Sequence, residues 1–132
     1  MEYLLDTNIC IYIIKKKPEN VLKHFSILAP GSVGISTITF AELRYGVYKS
    51  SNPARNLKAL NQFILPIEIL DFNVDAVIAY SEIRAYLERK GTPIGPLDTL
   101  IGSHAKSLQV RLVTNNENEF KRIPGLEIEN WL

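Results

Sequence analysis

Tyr3-Leu4-Leu5-Asp6-Thr7-Asn8 is the stretch whose reading decides the fold. Its apolar run suits a short buried strand, and the polar Asp6-Thr7-Asn8 stops that strand. The same polar residues are suited to cap a helix over about residues 9–16. A strand that ends in an acid and turns at once into a helix is the opening unit of a layered α/β domain.

Working outward, the pattern repeats. Pro18 breaks the first helix and opens a second through Val21, Leu22, Phe25 and Leu28, ending near Pro30-Gly31. Val33-Gly34-Ile35 reads as a second strand, followed by a helix from about Thr39 with Leu43 and Val47 on one face. Asn52-Pro53 pairs a cap with proline at the first helical position and predicts a helix to about Leu65. Ile67-Glu68-Ile69-Leu70 is a third strand, and Ala76, Ile83 and Leu87 mark a long amphipathic helix closing at Gly91. The turn-rich residues 91–96 lead to a helix beginning near Asp98. Leu112-Val113 is a fourth strand and Leu126-Glu127-Ile128 a candidate fifth. Short strands alternating with helices predict a three-layer α/β/α sandwich around a central parallel sheet of four to five strands, in a single domain over residues 1–132.

Composition agrees with that expectation. The 132 residues are 46% hydrophobic and 22% charged, enough apolar material for a core and too much for a disordered chain. Apolar stretches such as 9–14 fall far short of the ~20 residues that span a bilayer. The N-terminus lacks the basic start and long apolar run of a signal peptide. One cysteine, Cys10, precludes an internal disulfide and suits a reducing compartment, so a cytoplasmic location is expected. Cys10 itself reads as a small buried hydrophobe.

The net charge of +1 advertises no nucleic-acid field, yet the two halves differ. Residues 1–60 carry eight Lys/Arg against four Asp/Glu, and residues 61–132 seven against ten. Candidates for phosphate contact are Lys15-Lys16-Lys17, Arg44, Lys49, Arg55 and Lys58. From charge alone, a solvated helix face is the better reading of these.

The acids carry the chemistry. In open parallel sheets, ligands bind outside the carboxyl ends of the strands. Asp6 ends the first strand, Glu42 falls in the first turn of the helix after the second, and Thr114-Asn115-Asn116-Glu117-Asn118-Glu119 follows the fourth. Asp98 starts the helix that precedes the fourth strand. Each has a bland alternative. Asp6 or Thr7 serves as an N-cap, Thr39 to Glu42 has capping-box spacing, Asp98 complements a helix dipole, and Asn116 to Glu119 has cap spacing too. Together, several anions on one rim repel unless a cation joins them. Oxygen-only ligands suit Mg2+ or Mn2+. Zinc is not supported, because His24, His104 and Cys10 have no ligand spacing; both histidines read as surface or satisfied helix residues. No glycine-rich phosphate loop is present.

Four segments carry a family resemblance: Leu5-Asp6-Thr7-Asn8; residues 35–43, Ile-Ser-Thr-Ile-Thr-Phe-Ala-Glu-Leu; Pro93-Ile94-Gly95-Pro96-Leu97-Asp98; and Leu112-Val113-Thr114-Asn115-Asn116 with Glu119-Phe120. In this order, across almost the whole chain, they resemble the PIN-domain ribonucleases and closely the VapC toxins of bacterial toxin–antitoxin pairs. The resemblance implies that Asp6, Glu42 and Asp98 hold divalent metal, with Asp6 and Asp98 as direct ligands. The family's fourth acid follows the fourth strand. Asn116 stands where many relatives have Asp, which leaves Glu119 as the carboxylate. Thr7, Ser36 and Asn116 look like residues that orient ligands, water or phosphate.

The activity implied is hydrolysis of an RNA phosphodiester, leaving a 5′-phosphate and a 3′-hydroxyl. Residues 91–98, Gly-Thr-Pro-Ile-Gly-Pro-Leu-Asp, and the Thr-Asn-Asn turn look like the branch that cuts initiator tRNA in its anticodon stem-loop and so stops translation. The same resemblance implies a VapB-type antitoxin covering the acidic pocket, often with a basic side chain, in a toxin–antitoxin hetero-oligomer. It also implies a homodimer through apolar helix faces such as Ile9 and Ile13, residues that otherwise face the monomer core. Two rival functions stand against this reading. One is a PIN-like module that has lost catalysis and only binds RNA or protein. The other is an aspartyl-nucleophile phosphatase, which commonly carries a second Asp two positions after the first; here Thr7 and Asn8 follow Asp6.

Overall fold

The computed structural model describes all 132 residues. In chain order the elements are β1 (Tyr3–Leu5), α1 (Thr7–Lys15), α2 (Glu19–Ser26), β2 (Val33–Ser36), α3 (Thr37–Lys49) and α4 (Pro53–Ile64). They continue with β3 (Glu68–Leu70), α5 (Val74–Arg89), α6 (Pro96–Leu108), β4 (Arg111–Val113), α7 (Glu117–Phe120) and β5 (Ile128–Glu129). The five strands form one sheet in the order β3-β2-β1-β4-β5, and every pairing is parallel. Leu4 stands opposite Gly34 on one side and Leu112 on the other.

Side chains on a strand alternate between faces, so neighbours in sequence enter different cores. Leu5, Val33, Ile35 and Val113 face α1 to α4, where Ile9, Cys10, Ile13, Val21, Leu43, Val47, Leu60 and Phe63 complete one apolar layer. Leu4 and Leu112 face the other way and pack with Ile83, Leu87, Ile101, Ala105, Phe120 and Ile123. Helices therefore cover both faces of the sheet, as the strand–helix alternation predicted.

Ile9 and Ile13, offered as a dimer face, belong instead to the monomer core: Ile9 is fully buried and Ile13 nearly so. Cys10 beside them is also fully buried, and burial, reinforced by the charge of Asp6, pushes its thiol well above the usual value. Asn52 caps α4 by accepting the Arg55 N–H, with Pro53 at the first helical position. Most boundaries shift by one or two residues from expectation, and three of the shifts have a clear reading or consequence. α2 stops at Ser26, whose hydroxyl donates back to the Lys23 carbonyl, and residues up to Pro30 continue only as turns. α6 starts two residues earlier than Asp98, at Pro96. α3 starts at Thr37 rather than Thr39, which bears directly on the acids below. No helix is long and apolar enough to cross a membrane.

Candidate active site

Strand β1 lies between β2 and β4: the chain runs outward from it to β2 and β3, then crosses back to its other side at β4. Such a switch point opens a crevice at the carboxyl ends of the two strands. Asp6 follows β1 directly, Thr114 to Asn116 follow β4, and α3, α6 and α7 contribute Glu42, Asp98 and Glu119.

Asp6 is 5% exposed and serves two roles. Its Oδ1 accepts the Asn8 N–H at 2.7 Å and so caps α1. Its Oδ2 accepts the Thr114 hydroxyl at 2.5 Å, while that hydroxyl accepts the Asn116 N–H at 2.9 Å. Burial raises the carboxyl above its ordinary value; the Thr114 hydroxyl and the N–H groups of Asn8 and Ile9 act against that rise. The cap reading and the site reading of Asp6 both hold, one oxygen to each. Thr114, fully buried, was not singled out from the sequence. Its only local signal was a threonine followed by two asparagines, and its partner lies 108 residues away.

Glu42 corrects two expectations. It sits in the second turn of α3, because Ser36 caps that helix by accepting the Ile38 N–H at 3.0 Å. Thr39 is then an interior helical residue, fully buried, and cannot form a capping box with Glu42. The Glu42 carboxylate instead accepts the Thr7 hydroxyl at 2.7 Å, across the crevice from α1.

Asp98 and Glu119 form the third part. The Asn116 side-chain amide donates to Asp98 Oδ2 at 3.3 Å and also to Glu119. Asp98 is pushed up to about 7, first by burial, then by its hydrogen bond with Glu119 and by the negative charges of Asp6, Glu119 and Glu42. Glu119 is held below its usual value by hydrogen bonds from Asp98 and Asn116. The two carboxyls titrate together, Asp98 raised and Glu119 lowered by their shared hydrogen bonding. The three parts are one electrostatic unit, since Asp98 senses all three other acids. None of the four acids takes part in an ion pair.

As the side chains stand, no three acids converge closely enough to hold a metal ion between them. Mg2+ does not need such a cage, because it keeps several waters and uses one or two carboxylates with substrate phosphate. The donor set therefore fits a hard cation: oxygen ligands alone, mutually repelling, with no cationic side chain among them.

Two further residues are fully buried. Ser36, read as orienting a ligand or phosphate, is fully buried and engaged with the α3 N-terminus and with His104. His104, read as a surface or satisfied residue, is fully buried; its Nδ1 lies 2.8 Å from Ser36 Oγ and its Nε2 has no partner. His24 is exposed, as expected, and stacks on Trp131.

Residues 3–126 match the model of the PIN domain. The tRNA(fMet)-specific endonuclease VapC of Salmonella typhimurium is 48% identical over 131 residues, covering 99% of this chain and 98% of that protein. Ribonuclease VapC2 of Rickettsia felis is 47% identical over 132 residues, with 99% and 98% covered. Among solved structures, VapBC2 from Rickettsia felis bound to a DNA fragment from its promoter contains a chain that superposes with a TM-score of 0.94 at 46% identity, with both chains fully covered.

Proposed function

The chain belongs to the PIN-domain family, and on that premise we propose that it is a metal-dependent endoribonuclease, the VapC toxin of a toxin–antitoxin pair. Its substrate in this reading is initiator tRNA, the substrate named for the Salmonella relative, cut in the anticodon stem-loop. The observation that carries the chemistry is the group of four acids at the β1–β4 crevice, half-buried or buried, mutually repelling and with none in a salt bridge. A fold gains nothing from such an arrangement unless a cation completes it.

Asp6 and Asp98 are the proposed ligands, and Mg2+ or Mn2+ the proposed ion. When bound, a divalent ion supplies neutralisation of the phosphate charge and acidification of water. Thr114 and the Asn8 N–H hold Asp6 in one orientation. Asn116 keeps Asp98 and Glu119 together as Asp98 gives up its proton. Thr7 holds Glu42 at the opposite rim. Glu42 or Glu119 takes the proton of the attacking water. Water then adds to phosphorus, the bond to the 3′ oxygen breaks, and that oxygen takes a proton from solvent to leave as a hydroxyl, with the phosphate retained on the 5′ side.

The proposed partner is a VapB-type antitoxin, in keeping with the VapBC complexes among the similar structures. A groove of about 340 Å3 lined by Ile11, Ile14, Leu43, Val47 and Leu60 opens beside Glu42. It suits an apolar segment whose basic side chain reaches the acids.

The deciding experiment is incubation of the purified chain with initiator tRNA and Mn2+, followed by sequencing of the RNA ends. Cuts confined to the anticodon loop and abolished by EDTA are expected. Scattered cuts would refute the substrate, and undiminished cutting by both Asp6→Ala and Asp98→Ala would refute the site.

A further inference from the structure

One buried ionisable side chain takes no part in the reaction just described. His104 lies on α6, six residues after Asp98, with none of its surface exposed. Its Nδ1 meets Ser36 Oγ at 2.8 Å across 68 residues of sequence. Ser36 Oγ already accepts the Ile38 N–H at the start of α3. The serine keeps its proton and a second lone pair, so it can donate to Nδ1, and the Asp71 backbone beside the ring favours that arrangement. That arrangement places the imidazole hydrogen on Nε2, which has no hydrogen-bond partner and lies near the backbone of Asp71. Burial lowers the histidine pKa, against the backbone and charge of Asp71, so the neutral ring this bond requires is the favoured form.

The neighbours make the junction rigid. The Phe72 ring meets the imidazole edge-on with centroids 5.3 Å apart. The Phe72 N–H donates to the Thr37 hydroxyl at 3.2 Å. The cap and the first residue of α3, Ser36 and Thr37, are thus pinned from α6 and from the β3–α5 connection together. Asp98 rides on α6 and Glu42 on α3.

We infer that His104 is a positioning residue: through Ser36 it couples the helix that carries Asp98 to the helix that carries Glu42, and so sets the spacing of the two acids. The inference rests on the ribonuclease reading for its consequence in turnover. Its consequence for metal binding can be measured without RNA.

The test compares Ser36→Ala, His104→Leu, the double variant and His104→Asn, whose side-chain oxygen can take the place of Nδ1. Readouts are kcat and KM separately, Mn2+ affinity of the RNA-free protein by electron paramagnetic resonance, and thermal melting. Loss of an orienting contact at a metal site commonly costs about 10- to 100-fold in affinity or activity. Ser36→Ala and His104→Leu should each lower kcat by about that factor with KM within about twofold, and should weaken Mn2+ binding in parallel. Both remove the Ser36–His104 bond, Ser36→Ala together with the α3 cap, so the double variant should lose no more than Ser36→Ala alone. His104→Asn should recover most of the turnover.

Multiplying losses in the double variant, or an Asn variant as impaired as the Leu one, would overturn the inference. So would turnover that falls only in step with melting temperature. If the Leu and Ala variants do not fold, the unaltered protein still decides: imidazole 15N shifts must show a neutral ring with Nδ1 hydrogen-bonded, and an Nδ1 free of any hydrogen bond rejects the coupling. A wild-type protein without Mn2+-dependent cleavage would defeat the ribonuclease reading instead, leaving the Mn2+ affinities to judge His104.

Discussion

Two groups of carboxylates on the sheet are treated in opposite ways. At the start of β4, Glu127 and Glu129 meet Arg111 at 3.3 and 3.9 Å, in the open, with over half of the arginine side chain exposed. At the carboxyl ends of β1 and β4, Asp6, Glu42, Asp98 and Glu119 gather buried or half-buried and with no salt bridge, the charge of Arg122 reaching Glu119 alone. The first arrangement is ordinary surface balance, worth roughly 0–1 kcal/mol. The second opposes folding, since Asp98 is driven from 3.8 to about 7 by burial and by its neighbours' charge. A chain keeps such a cluster because something positive completes it. The difference between the two places therefore separates solvation from function.

The most severe way to break the comparison is Asp98→Asn. Cleavage should fall about a thousandfold or more, as for removal of other central catalytic groups. Stability should move the other way. The folded-state pKa is raised, so the folded chain holds more protons than the unfolded one between about 4 and 7, and stability declines as pH rises through that window. Asn removes the penalty, and melting at pH 8 should rise by about 2–5 °C. An unchanged or lowered melting temperature would show that the acids do not repel.

The apolar support under the crevice gives the next effect. Leu112 is fully buried on β4, immediately before Val113 and Thr114. Leu112→Ala should cost about 2–5 kcal/mol in denaturant unfolding. A loss below about 1 kcal/mol would mean the layer relaxes around the cavity.

The cation itself sharpens the contrast through pH. Asp98 must lose its proton to ligate, so Mn2+ affinity should fall about tenfold per unit below pH 7 and level off above it. Titration calorimetry across pH 5.5–8.5 checks this, and a flat profile would exclude Asp98 as a ligand.

Asp6 divides the two roles of one side chain. Asp6→Asn keeps a good cap and should leave melting nearly unchanged, whereas Asp6→Ala should lose about 0.5–2 kcal/mol. Both should abolish cleavage. The smallest effect belongs to the paired end: Arg111→Ala should change stability by less than about 1 kcal/mol and leave turnover intact.

Much of this was legible in one dimension, because it depends on neighbours in sequence. Alternation of short apolar runs with helical periodicity specified a parallel sheet covered on both faces, and Asn52-Pro53 marked the start of α4. Acids directly after strands pointed to the rim where ligands bind in this architecture. What stayed hidden was competition between local signals and pairing at long range. Ser36, Thr37 and Thr39 are all able to cap a helix, and only the register of β2, which runs through Ser36 opposite Leu70, chose the first. That choice released Glu42 from capping and turned it to Thr7. Tertiary packing likewise buried Ile9 and Ile13, joined Thr114 to Asp6, and set His104 against Ser36. A sequence states which groups are available to bond; the sheet order decides which of them meet, because partners a hundred residues apart acquire no local signature.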